Sequence, residues 1–198
     1  MAVTRERFEQ GMTYQQYRDQ MTRNKERFEQ NEKTVQIAAD DLAAFKKLAR
    51  PLNVVAIAED WCGDVIANLP VLGRLAEQSG KLNVRVFLRD QNDDLMQQYL
   101  NRGEYKSIPV FALFDESFKE VGNFKERPDS VTELRARRRT EIYQSDPAFG
   151  DPNAPMDQLS EDVRTRLQGE MLKMRDDTTS FANTEVVKAL RAIVEKAG

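Results

Sequence analysis

The spacing of apolar and polar positions divides the chain into three stretches. Near the N-terminus, Phe8, Tyr14, Tyr17, Met21 and Phe28 form a thin apolar stripe at helical spacing among charged residues. Thr13, followed three residues on by Gln16, has capping-box form, and the pattern predicts one long charged helix over 13–33. Asp40 or Asp41 caps a short helix carrying Leu42, Phe45 and Leu48, which Pro51 ends. The middle stretch differs. Val54, Val55, Ala56, Ile57 and Ala58 are continuously apolar, as suits a strand buried on both faces. A turn over 59–63 leads into a helix ending near residue 78, stopped by Gly80. Pro70 predicts a kink within it, because proline removes one backbone donor and crowds the preceding turn. Further strands are predicted over 83–89, 109–114 and 119–124, with a short helix over 93–101 and a tight turn at 115–117. In the last stretch, helical spacing returns from 129 to about 143. A loop rich in proline and aspartate over 146–155 precedes two closing helices, over 159–175 and 185–196.

Strand–helix–strand units favour parallel pairing through right-handed crossovers, and the short turn at 115–117 makes the last two strands a hairpin. The fold class is therefore α/β, a small mixed sheet flanked by helices, with extra helices at both ends. The expected organisation is a helical extension over 1–49, a core domain over 50–142 and a second helical extension over 143–198. The terminal helices either pack on the sheet or offer a partner surface. The apolar area that a small sheet must cover favours packing.

Composition narrows the chemistry. The chain has one cysteine and no histidine in 198 residues. That excludes Ser-His-Asp and Cys-His nucleophilic sites and histidine-ligated zinc or haem. One thiol cannot hold a zinc ribbon or an iron–sulfur cluster, and carboxylates show no calcium-loop spacing, so no metal or cofactor is expected. A chain without an intramolecular disulfide suits a reducing compartment, and a cytoplasmic location is expected. No apolar run reaches the roughly 18 residues of a spanning helix, and the N-terminal residues lack a secretory apolar stretch, so no membrane association is expected. A net charge of −3 gives no general attraction to nucleic acid. The basic run Arg135, Arg137, Arg138 and Arg139 lacks interleaved aromatics and reads as a solvated helix end or as partners for nearby acids. Asp146, Asp151 and Asp157 lie close to prolines and fit turn chemistry better than metal binding.

The sole cysteine and the sole tryptophan fall together in residues 59–65, EDWCGDV. Trp61, Cys62 and Gly63 stand at the end of a buried strand and open a helix. Some 45 residues later comes Ser107-Ile108-Pro109-Val110-Phe111, and Gly122 follows the hairpin. Over 50–142 this arrangement resembles the thioredoxin superfamily, whose W-C-G-x-C site occupies the same junction and whose cis-proline segment faces it. The whole chain is similar to bacterial thioredoxin family proteins with helical additions at both ends. The resemblance implies that Pro109 is cis, that Ile108 lies near Cys62, and that the loop presents backbone groups to a peptide or thiol.

Three departures alter the expected chemistry. Val65 replaces the second cysteine, Asp64 replaces the usual proline, and Ala56 stands where relatives place a buried carboxylate that assists proton transfer. Without a resolving thiol the chain alone has no dithiol reductase cycle. The expectation is a monothiol site in which Cys62 forms mixed disulfides with protein or low-molecular-weight partners, resolved by an external thiol. The alternative is a non-catalytic module whose groove docks a peptide or partner protein. A helix N-terminus stabilises thiolate, whereas Glu59, Asp60 and Asp64 oppose it. Each charge about 6 Å away through water costs roughly 0.7 kcal/mol, so a thiol of ordinary to mildly raised acidity is expected. Trp61 either shields the thiol or caps the core, and packing is the simpler role.

Overall fold

The structure, a computed structural model, describes residues 3–196; positions 1, 2, 197 and 198, the tips of the two expected extensions, lie outside the described residues. The chain forms two compact units, one of residues 1–128 with 183–198, the other of residues 129–182.

In the first unit, α1 (Arg5–Glu9) leads to β1 (Met12–Thr13). The helices α2 (Tyr14–Gln20), α3 (Lys25–Thr34) and α4 (Ala39–Lys46) follow. Next come β2 (Leu52–Ala58), α5 (Gly63–Ser79) and β3 (Leu82–Leu88). The short α6 (Asp93–Met96), β4 (Val110–Phe114) and β5 (Glu120–Lys125) complete this run. The five-stranded sheet has the order β1-β3-β2-β4-β5. β2 and β3 are parallel, β4 runs antiparallel to β2, and β5 forms a hairpin with β4. β2 is central, which explains its unbroken apolar run: Val54 through Ala58 are fully buried, and Ala56 pairs with Val86 on one side and Phe111 on the other. The expected α/β fold is observed, with helices added at both ends of the sheet region.

The strand β1 was not legible, since two residues carry no period; it pairs antiparallel with β3 at Met12–Val86. The single long helix expected over 13–33 is broken. The predicted capping box at Thr13 and Gln16 is present and starts α2, but that helix stops at Gln20. Asn24 adopts the left-handed conformation before α3, with φ of 54°. The cause is tertiary: the Thr22 and Arg23 backbone N–H groups both donate to Asp60 Oδ2, at 2.8 and 3.0 Å. Helix α5 runs on through Pro70.

Helix α9 (Thr179–Val194) contributes residues from Asn183 onward to this unit, and Val186, Val187, Leu190 and Val194 join its apolar core. Gly122 on β5 has a packing reason: a Cβ there would lie 3.0 Å from the Ile193 side chain.

The second unit holds α7 (Asp129–Ser145), α8 (Glu161–Asp177) and the start of α9. Its own small core gathers Tyr143, Phe149 and Leu167. Within this unit Arg135 is buried and donates to Thr178 Oγ1 at 3.4 Å, so this member of the basic run is not solvated. Arg138 pairs with Glu141, and the Arg139 guanidinium lies over the Tyr143 ring. Asp146 and Asp151 accept backbone N–H groups of Ala148 and Asn153, the turn chemistry expected of them. Among the described residues no helix is long and apolar enough to cross a membrane.

Candidate functional site

The site forms where β2 ends and α5 begins. Because β2 and Glu59 after it are buried, the chain emerges only at Asp60, and the next residues turn sharply. The Cys62 N–H donates to the Glu59 carbonyl at 3.2 Å, closing that turn. Cys62 is the N-cap of α5, extended at φ −86° and ψ 119°, and its carbonyl accepts the Ile66 N–H at 3.0 Å. Gly63, Asp64 and Val65 follow as the first helical turn.

The second component comes from the segment before β4. The Ile108–Pro109 peptide bond is cis, and the Cys62 Sγ–H donates to the Ile108 carbonyl at 3.5 Å. Two segments 46 residues apart thus meet at the sulfur. Donation to a carbonyl is open to a thiol and closed to a thiolate, so this contact belongs to the resting, protonated state. Cys62 is half-buried.

The acids weighed against thiolate formation are each engaged. Asp64 is buried and ion-paired with Arg127. Asp60 accepts the two backbone N–H groups of Thr22 and Arg23. Glu59 is buried, and its Oε1 accepts the Asp90 N–H at 2.9 Å. The balance at Cys62 is therefore not that of three solvated carboxylates. Burial raises the Glu59 carboxyl above its ordinary value, opposed by the Asp90 hydrogen bond. The native state then holds that proton more tightly than the unfolded chain does, so stability falls as pH rises from the ordinary carboxylate value through the raised one. A Glu59→Gln variant is expected to gain stability relative to the parent across that window and to keep a constant difference above it. Thermal melts at graded pH check this, and a difference independent of pH contradicts it.

Trp61 is 40% exposed, so it does not cap the core; the Arg89 guanidinium lies over its ring at 4.7 Å from the centroid. Arg89 also donates to the Lys106 carbonyl at 3.4 Å, which ties the end of β3 to the segment leading to Pro109. Val65, at the position of a resolving thiol, is fully buried. Ala56 is buried within β2 and brings no proton-handling group. Arg89 and Arg127 were not recognised in the sequence as parts of this region, because neither arginine carries a motif.

Comparison with known proteins accords with this geometry. The family model described as Thioredoxin matches residues 11–140. No curated protein matches the chain. Among solved structures, a protein of unknown function from Pseudomonas aeruginosa superposes with a TM-score of 0.69 at 18% identity, covering 100% of both chains. An HIV epitope-scaffold superposes with a TM-score of 0.65, also at 18% identity and 100% coverage of both chains. At that identity these two establish the fold alone.

Proposed function

Given that the chain belongs to the thioredoxin family, we propose that it performs thiol–disulfide exchange with a single thiol, Cys62. The observation that carries this reading is the meeting of Cys62 Sγ with the Ile108 carbonyl next to the cis-Pro109 bond, at the N-terminus of α5. In the first step the Cys62 thiolate attacks one sulfur of a disulfide. The S–S bond breaks, one thiolate leaves, and Cys62 carries the mixed disulfide. In the second step an external thiolate attacks that mixed disulfide and restores Cys62. The surroundings of the sulfur are Trp61, Gly63, Asp64, Val65, Ile108 and Pro109. The partners are protein or low-molecular-weight thiols and disulfides of a bacterial cytoplasm, a reducing setting that suits a chain with one cysteine.

Exposure to glutathione disulfide is expected to give one adduct per chain, located at Cys62 by mass spectrometry, removed by added thiol and absent in Cys62→Ser. A partner protein that binds Cys62→Ser as tightly as the parent, together with no adduct in the parent, would favour a docking module without thiol chemistry.

A further inference from the structure

The Cys62 sulfur joins the cysteine turn to the cis-proline segment through the Ile108 carbonyl. A second tie between the same two segments runs through Arg89. Its guanidinium lies over the ring of Trp61, one residue before Cys62, at 4.7 Å from the centroid. Its Nη1 donates to the carbonyl of Lys106, two residues before Ile108, at 3.4 Å. Its Nε and Nη2 both reach Asp90 Oδ1, at 2.8 Å. The neighbouring backbone adds a further hold on the turn, since the Asp90 N–H donates to Glu59 Oε1 at 2.9 Å.

The base of this side chain is fixed. Arg89 follows directly on β3, whose last residue, Leu88, pairs with Ala58 at the end of β2. Asn92 Nδ2 donates to the Leu88 carbonyl at 2.7 Å, and Arg7 Nη2 donates to Asn92 Oδ1 at 2.7 Å, so the strand end is held from α1 as well. The residue type matters too. A planar guanidinium lies flat on an aromatic face while its edge donors reach two acceptors, and an ammonium, a point charge without that plane, cannot do both at once.

We propose that Arg89 is a positioning residue for exchange at Cys62: its guanidinium keeps the cysteine turn against the cis-proline segment while the sulfur carries no proton. This rests on the exchange reading above. In the resting state the Cys62 S–H donates to the Ile108 carbonyl, and that tie needs the proton. Once the proton has left to solvent, and again in the mixed disulfide, the sulfur has nothing to donate and faces an oxygen that repels it. The tie from Trp61 through Arg89 to Lys106 involves no thiol proton and survives both states. It holds the sulfur in place as the disulfide arrives, and attack on an S–S bond requires the reacting atoms to be aligned.

The test compares the parent with Arg89→Met, which keeps an unbranched stem without the fork, and Arg89→Lys, which keeps the charge. Each is reacted with the neutral bis(2-hydroxyethyl) disulfide and, separately, with iodoacetamide, at pH values above its own alkylation midpoint, so that a change in thiol acidity drops out. Acrylamide quenching of Trp61, the sole tryptophan, is read alongside. Arg89→Met is expected to attack the disulfide about tenfold more slowly while its alkylation rate changes less than about twofold, because alignment with an S–S bond is what it has lost. Trp61 quenching should rise. Arg89→Lys should also lose at least about threefold toward the disulfide, since charge without the fork does not restore the tie. A lysine variant as fast as the parent overturns the proposal, as does an equal slowing toward both reagents or an unchanged quenching. If Arg89→Met does not fold, Arg89→Lys decides alone by the same comparison. A parent that forms no adduct with the disulfide overturns the exchange reading and this role with it, whereas a reactive parent with equally reactive variants overturns the role of Arg89 alone.

Discussion

A Val65→Cys variant is expected to acquire a complete dithiol cycle. Val65 is the third helical residue after the N-cap Cys62 and is fully buried. Positions three apart on a helix have Cβ atoms about 5–6 Å apart, and a disulfide needs about 3.5–4.5 Å. Cys62 stands outside the helix as its cap, with φ −86° and ψ 119°, so its side chain is not fixed in the helical direction, and that gap is expected to close. The exchange of valine for cysteine removes little volume, and the cost should stay within about 0.5–1.5 kcal/mol, as for other single-methyl changes in cores. The introduced thiol then attacks the Cys62 mixed disulfide from within the chain, at an effective concentration on the order of millimolar or more. The substrate leaves as its second thiolate, and the protein keeps an internal disulfide.

Mass spectrometry distinguishes the two chains. After glutathione disulfide, the parent should carry a lasting adduct, whereas the variant should carry none and lose two hydrogens. With excess dithiothreitol the variant should reduce a disulfide-bonded protein such as insulin repeatedly, at least about tenfold faster than the parent, because an internal nucleophile replaces an encounter. A persistent adduct on the variant would show that position 65 does not address the Cys62 sulfur, and would remove the basis for treating this site as a dithiol site with one thiol missing.

The parts of the site that follow from local pattern were legible in the sequence. The buried run at 54–58, the turn after it and the helix opening at Gly63 are consecutive, so periodicity alone placed Cys62 at a strand–helix junction. The encounter of Cys62 with Ile108 depends on β2 and β4 lying side by side, a pairing between distant segments. Only the likeness of residues 107–111 to a known segment made it expected. The engagement of the acids escaped for the same reason. Asp64 read as a charge opposing the thiolate, and its partner lies 63 positions away after β5. Asp60 read as a plain charge, yet its demand for backbone donors at Thr22 and Arg23 is what breaks the N-terminal helix. A stripe of spaced aromatics shows which face of a helix is buried. It does not show that one of them, Tyr17, carries a buried hydroxyl without a hydrogen-bond partner.

Removal of Arg127 is expected to disturb stability and chemistry together. Arg127 pairs with Asp64 and, at 2.7 Å, with Glu126 Oε1. The Glu126 backbone in turn accepts Asn68 Nδ2 at 2.8 Å, and its N–H donates to the Pro109 carbonyl at 2.7 Å. The pair therefore sits where α5, the cis-proline segment and the end of β5 meet. The Asp64 side chain is only 10% exposed, so Arg127→Ala would leave a carboxylate with little water to replace the guanidinium. Breaking one side of a buried pair costs about 3–5 kcal/mol, and the 24% exposure of the Arg127 side chain lowers the expectation to roughly 2–3 kcal/mol. This should appear as a lower urea midpoint with an unchanged slope. The same deletion leaves Asp64 facing the first turn without its counter-charge. One uncompensated charge about 6 Å from the sulfur disfavours thiolate by roughly 0.7 kcal/mol, about threefold slower alkylation at neutral pH, and added salt should narrow the difference. Asp64→Asn in the Arg127→Ala background removes the stranded charge, so it should recover most of the urea midpoint and the alkylation rate. If the single variant unfolds at the parent's midpoint, the ion pair contributes nothing to the fold. If Asp64→Asn restores stability but not the rate, the guanidinium acts on the sulfur by a route other than the Asp64 charge.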